Sequence, residues 1–174
     1  MRLIAIACPT CRCVSHTPAD RCRAIQDLVR PEEVAHLLRT VPAHLVPPAY
    51  SFVGSVARWL QGQMGTGDLA YIPDPGWCDR WCSPAGTLER GGGDCDDLAI
   101  LAASLLMAGG LAVDVVVGRH CNGFVCDGHA WVEGCDQRGW FLLEATQGHL
   151  FRRGRPATYS PALKLRPGNC RLAA

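Results

Sequence analysis

At 174 residues, 48% of them hydrophobic and 19% charged, with a formal net charge of +1, the chain is long enough to bury a real core in one domain. That balance excludes a chain disordered throughout, which would combine few apolar residues with a large charge imbalance, and no collagen-like or coiled-coil pattern is present. The longest uncharged apolar run, Leu98 to Val113, has 16 residues interrupted by Gly109-Gly110; about 20 are needed to span a bilayer, so no transmembrane segment and no membrane partner are predicted.

From the N-terminus, Leu3-Ile4-Ala5-Ile6-Ala7 is only five apolar residues, short of the roughly 7–15 of a secretory h-region. No signal peptide is read there, the expected location is cytoplasmic or otherwise intracellular, and reduced thiols are the default. Pro31-Glu32-Glu33-Val34-Ala35-His36-Leu37-Leu38 starts like a helix, with proline in the first turn and acids beside the positive dipole end. A Pro-rich connector from Val41 to Pro48 follows, and residues 1–50 read as a Cys-containing appendage.

Phe52, Val56, Trp59, Leu60 and Gln63 keep helical spacing and predict an amphipathic helix ending near Gly65. A loop punctuated by Pro73, Pro75, Gly76, Pro84 and Gly86 leads to Gly91-Gly92-Gly93 and then Asp94-Cys95-Asp96-Asp97. The apolar run Leu98 to Ala108 predicts a buried helix stopped by Gly109-Gly110, and strands are predicted over 112–118, 128–133 and 140–144. A helix packed on an antiparallel sheet, an α+β fold, is the economical architecture for residues 51–146. Residues 147–174 hold no acid and carry Arg152, Arg153, Arg155, Lys164, Arg166 and Arg171. With only Phe151 and Tyr159 as aromatic platforms, this stretch reads as an irregular, solvated basic tail, and nucleic acid is not the expected partner.

Three polar residues fall where chemistry needs them. Cys95 opens the buried helix, where unpaired N–H groups and the dipole favour a thiolate, and the glycines before it would let a substrate backbone approach. His129 begins the second strand of the trio and Glu144 ends the third. A thiol needs a base to take its proton and return it to a leaving group, and the imidazole needs an acceptor that fixes its tautomer. Asp127 and Asp136 are the alternative acceptors, ranked below Glu144. Asp94, Asp96 and Asp97 read as helix N-terminal dipole partners, and Trp131 and Trp140 as core. His16, His36, His44, His120 and His149 read as surface or packing residues.

The remaining cysteines admit a second chemistry. Cys8, Cys11, Cys13 and Cys22 are clustered as in a structural zinc site, but the second regularly spaced pair is absent. Free thiols rank first for them, structural zinc second and disulfides third. Cys78 and Cys82, and Cys121 and Cys126, flank the chemical motifs and could cross-link loops or simply be tolerated.

The segments Gly93-Asp94-Cys95-Asp96-Asp97-Leu98-Ala99, His129-Ala130-Trp131-Val132-Glu133 and Trp140 to Thr146, with a Gly-Gly helix stop between the first two, resemble the transglutaminase-like superfamily of cysteine enzymes in its compact bacterial and viral form. Tyr71-Ile72-Pro73-Asp74-Pro75 and the stretch Pro84 to Leu88 look like the same family. The resemblance implies a papain-like α+β core, with Cys95 as nucleophile, His129 as general base and acid, and Glu144 where the family usually has Asp. It also implies acylation of the cysteine by an amide, with no cofactor required for catalysis. The oxyanion donors would be the Cys95 backbone N–H and an upstream group, with Trp77 and Trp81 as candidates. The expected activity is hydrolysis of a protein or peptide substrate. Acyl transfer to an amine, including protein cross-linking, and a non-catalytic binding module are the alternatives, the last marked by loss of Cys95 or His129, neither of which is lost.

Overall fold

The computed structural model describes residues 10–39 and 51–173. Its elements in order are β1 (Cys11–Cys13), α1 (Pro18–Leu28), α2 (Pro31–Val34) running into a 3-10 turn (Ala35–Arg39), α3 (Phe52–Thr66), β2 (Ala70–Tyr71), β3 (Arg80–Cys82), α4 (Pro84–Glu89), β4 (Gly92–Gly93), α5 (Cys95–Ala108), β5 (Val113–Asn122), β6 (Val125–Asp136), β7 (Gly139–Glu144), β8 (His149–Phe151), β9 (Tyr159–Arg166) and β10 (Asn169–Leu172). The fold is α+β, with an antiparallel six-stranded sheet in the order β10-β9-β5-β6-β7-β8.

Local signals set the helix ends. The Ser51 hydroxyl accepts from the Gly54 amide and caps α3, and Gly67, at φ 83°, closes it in the left-handed conformation that costs glycine least. Helix α5 is apolar on every side, and each residue from Asp96 to Leu106 is buried. Such a helix needs neighbours all round. β5 and β6 cover one side of it, and α2, α3 and α4 lie against others. Strand alternation then divides the sheet: Val113, Val115, Val117, Ala130, Val132 and Leu143 join the core around α5, whereas Val116, Trp131, Leu142 and Tyr159 form a second cluster on the opposite face.

Both ends of the chain depart from the sequence-based division. α1 is no appendage: Ala24, Ile25 and Leu28, with Val29 and Val34 beyond, sit in the same core as α5, each large side chain contributing about 1.5–3 kcal/mol by burial. The polar Arg and Asp residues interleaved in α1 hide that stripe in the sequence. Residues 147–174 are no irregular tail either, since they supply β8, β9 and β10. Five of their six basic residues are bound to acids of the sheet: Arg155 and Lys164 on the buried Glu133, Arg166 and Arg171 on the buried Asp114, and Arg152 on the half-buried Asp136.

The cysteines depart further. Disulfides join Cys11 to Cys82, Cys13 to Cys78, Cys22 to Cys170 and Cys121 to Cys126. Cys11, Cys13 and Cys22 are therefore not the thiolates a shared zinc ion would require, and each partner lies elsewhere in the chain. Cys8, the fourth zinc candidate, lies outside the described residues, as do Leu3 to Ala7 and the Val41 to Pro48 connector. Among the described residues Cys95 and Cys135 are unpaired, and no helix is long and apolar enough to cross a membrane.

Candidate active site

Cys95 is the first residue of α5 and follows Asp94 at the N-cap position. The preceding glycines serve the protein rather than an incoming chain: β4 pairs in parallel with β2, and a Cβ on Gly92 would run into the Ala70 backbone, one on Gly93 into the Asp97 side chain. Gly92 also holds φ 141°, a conformation open to glycine. Their role is close packing that fixes the start of α5.

Across from this helix end, β6 and β7 pair antiparallel and carry His129 and Glu144. The His129 Nε2 lies 2.7 Å from Glu144 Oε2. The carboxylate is saturated by further donors: the Thr146 amide at 3.0 Å and its hydroxyl at 2.7 Å reach Oε1, and the Tyr159 hydroxyl donates to Oε2 at 2.9 Å. Burial by itself would raise the Glu144 pKa, but the hydrogen bond and charge of His129 and the Thr146 donors outweigh it and hold the carboxyl below its ordinary value. With Nε2 engaged by the acid, Nδ1 is the ring nitrogen left for a substrate or thiol proton.

Cys95 and His129 line one cavity of about 280 Å³. Burial, then the acids Asp96 and Asp94, push the pKa of the Cys95 thiol up, against a backbone hydrogen bond from Ala130 that lowers it. This reverses the expectation from the helix dipole, because loss of water around a buried sulfur outweighs a partial charge at the helix end. A nucleophile in this setting needs its proton removed as it attacks.

The other acids separate by environment. Asp136 is bound by two Arg152 nitrogens, at 2.8 and 2.7 Å, and Asp127 stands opposite His120 on the β5–β6 hairpin, so Glu144 is the carboxylate at the imidazole. Asp97 is fully buried, accepting from the Cys82 amide at 2.7 Å and from Arg90 at 3.1 Å. It ties α5 to β3 rather than facing solvent as a dipole partner. Asp94 and Asp96 each keep a buried Oδ1 with no hydrogen-bond donor. Their carboxylates and the Cys95 sulfur lie within 4.8 Å of one another, which makes this pair the residues able to hold a metal ion among those described.

Neither tryptophan is in place as an oxyanion donor. The Trp81 indole N–H is engaged by Asp79 at 2.8 Å, and Trp77, 81% exposed, is not among the residues lining the cavity. The Cys95 amide, at the first position of a helix, has no intrahelical partner by construction. Sequence reasoning missed three contributors. His16 and Arg21 form one wall of the Cys95 cavity from the segment read as an appendage, and Tyr159 comes from the segment read as a tail. His120 also stands closer to the chemistry than a surface residue, its ring 5.4 Å from that of His129.

Comparison with known proteins agrees with this geometry at the level of fold. Residues 46–145 match the family model of the transglutaminase-like superfamily. Over 74 residues the chain is 38% identical to the centrosomal protein of 76 kDa of Mus musculus and to that of Homo sapiens, a match covering 42% of this chain but only 11% of those proteins. Among solved structures, a protein from Cytophaga hutchinsonii named as a candidate cysteine protease aligns with TM-score 0.53 and 19% identity over 71% of this chain and 39% of that one. LapG of Legionella pneumophila, solved calcium-bound, aligns with TM-score 0.54 and 17% identity over 83% of this chain and 88% of that one; its EGTA-treated form gives 0.55 and 17% over 84% and 87%. Since the family model covers more than half of its length, the chain belongs to the transglutaminase-like superfamily.

Proposed function

We propose that the protein is a cysteine-dependent hydrolase of amide bonds in a protein or peptide substrate, with Cys95 as nucleophile, His129 as general base and acid, and Glu144 as the imidazole's orienting carboxylate. The observation that carries this reading is the 2.7 Å His129–Glu144 hydrogen bond beside a cavity that Cys95 shares. In the first half-reaction the Cys95 sulfur bonds to the carbonyl carbon while His129 takes the thiol proton. The oxyanion so formed is positioned for the Cys95 amide at the head of α5. As the C–N bond breaks, the imidazolium gives that proton to the departing amine and a thioester remains. Water then attacks the thioester, His129 again removing a proton, and the carboxylic acid and free thiol are regenerated.

Burial pushes the Cys95 thiol up, which suits an order of events in which the proton leaves as the sulfur attacks. Hydrolysis is preferred to transfer since one of the solved structures of this fold is named as a candidate cysteine protease. The four disulfides support an oxidising compartment, in place of the reducing one read from the sequence. The test is covalent labelling by a thiol-directed acylating probe, read by mass spectrometry together with amide-cleaving activity. Cys95→Ala is expected to abolish the activity and the labelling mapped to residue 95, leaving any label on the exposed Cys135 in place. Unchanged labelling would remove Cys95 from the chemistry and leave the non-catalytic binding module as the reading.

The calcium named with the LapG structure supports a proposed further role for Asp94 and Asp96 as ligands of a divalent cation. Their two orphaned buried oxygens are hard donors that suit such a cation. When bound it would offset the negative charge that, after burial, holds the Cys95 thiol up.

A further inference from the structure

We infer that Tyr159 is a positioning residue of the same site: its hydroxyl, delivered by β9, sets the orientation and proton affinity of the Glu144–His129 pair. The inference rests on the reading of His129 and Glu144 given above, and it adds a part that lies beyond residues 46–145 matched by the family model.

Glutamate at this position has one more methylene, and one more rotatable bond, than an aspartate would have. Its carboxylate must be held or it will sample several rotamers, each presenting Oε2 differently to the imidazole. Oε1 is held by both donors of Thr146, from the residue two positions on in the same chain segment. Oε2 faces His129, and among the described residues the one other donor on it is the Tyr159 hydroxyl at 2.9 Å. Four donors match the lone-pair sites of an ionised carboxylate. Tyr159 therefore completes the set on the oxygen that matters for the chemistry.

The fold goes to some length to bring that hydroxyl in. Tyr159 begins β9, which is separated from β7 by β5 and β6, and it pairs with His120 on β5. The β5–β9 register shifts at Val117/Gly118, and a Cβ on Gly118 would run into the Ser160 carbonyl and sit 2.8 Å from the Trp131 ring. Gly118 thus allows β9 to close on β5 just where His129 stands opposite it. The Tyr159 ring is wedged 4.4 Å from His120 and 5.2 Å, edge-on, from Trp131, and is 7% exposed. The ring can scarcely move, so the hydroxyl is fixed.

A donor on Oε2 draws charge from the oxygen that binds the imidazolium. Removing it leaves more charge for His129 and raises the imidazole's proton affinity, while loosening the geometry in which Nδ1 meets the thiol. The other titratable groups around the ring are His120 on β5, Asp94, Cys95 and Asp96 at the head of α5, Tyr71 on β2, Asp79 before β3, and His16 and Arg21 from the N-terminal segment, and Tyr159→Phe leaves all of them in place.

The experiment is an NMR titration of the His129 ring in wild type, Tyr159→Phe and Cys95→Ala, with probe acylation rates and thermal midpoints measured in parallel. Tyr159→Phe is expected to move the His129 titration midpoint upward, to shift the Nε2–H resonance, and to slow acylation roughly tenfold, the loss of one hydrogen bond to a charged group. A changed thermal midpoint with the His129 titration and the acylation pH profile unmoved would mean a packing role only and would overturn the inference. A failure of the nucleophile assignment shows separately, as amide-cleaving activity and an active-site acylation rate that survive in Cys95→Ala once label on the exposed Cys135 is mapped and set aside.

Discussion

Glu144→Gln separates geometry from charge at this site. In the wild type, Oε1 takes the Thr146 amide and hydroxyl, and Oε2 takes His129 Nε2 at 2.7 Å and the Tyr159 hydroxyl. Glutamine has one oxygen for these two places. The Thr146 amide cannot turn away, so the oxygen is drawn to it and the NH₂ faces His129. An NH₂ donates, and the imidazole must then present an unprotonated Nε2 and carry its proton on Nδ1. That tautomer cannot accept a proton from Cys95. If the amide flips instead, a buried backbone N–H faces an NH₂ and loses its acceptor, at a cost of about 1–3 kcal/mol. Loss of a charge-assisted hydrogen bond alone, about 1.5–3 kcal/mol, corresponds to roughly 10–150-fold; with the wrong tautomer the loss approaches about 10⁴-fold, as for the equivalent isosteric change in a serine triad. The rate to follow is single-turnover acylation of Cys95 by an activated ester across pH, with substrate affinity measured separately. The expectation is a fall in the rate constant with affinity unchanged. A variant with the wild-type acylation rate and pH profile would refute the assignment of Glu144.

Two further outcomes follow from the cross-links and the acids. Cys22→Ser with Cys170→Ser opens a link across 148 residues of sequence; because the other disulfides already constrain the unfolded chain, the expected loss is about 3 kcal/mol rather than the larger value for an isolated loop of that length. Urea unfolding of the two proteins checks this, and coincident midpoints would contradict it. Calcium added to chelator-treated protein is expected to give saturable heat in calorimetry and to raise the thermal midpoint. Asp96→Asn should weaken both effects, and identical isotherms for the two proteins would exclude the Asp94–Asp96 pair as the site.

The three candidate residues can be singled out in the sequence because each occupies a position where the local pattern fixes its surroundings: Cys95 after a glycine run and before an apolar helix, His129 and Glu144 on strands separated by a short turn. What lies far away in sequence was not. Nothing in the spacing of Tyr159 says that its hydroxyl reaches Glu144, since that contact depends on β9 crossing to β5 and on the room left by Gly118. The state of the thiol was misjudged for a related reason. Helix position can be read from a local segment, but the burial and the two neighbouring carboxylates that dominate its pKa are properties of the folded cavity.

The ends of the chain show where composition misleads. A run of six basic residues without an acid looks like a solvated tail only while its partners are unseen. Glu133, Asp114 and Asp136 lie on β5 and β6, and Glu133 and Asp114 are buried under Arg155, Lys164, Arg166 and Arg171. A buried carboxylate without a cation is strongly unfavourable, and a cation without the carboxylate has no reason to settle there. Neither half can be inferred from its own segment. The same holds for the cysteines: Cys11 and Cys13 look like a metal cluster because they are close in sequence, yet β1 lies beside β3, and Cys11 bonds to Cys82 on that strand and Cys13 to Cys78 just before it. Those two bonds and the Cys22–Cys170 link fasten the N-terminal segment, which carries His16 and Arg21, against the Cys95 cavity. The segment that composition set aside as an appendage is therefore held by three covalent cross-links where it forms a wall of the candidate active site.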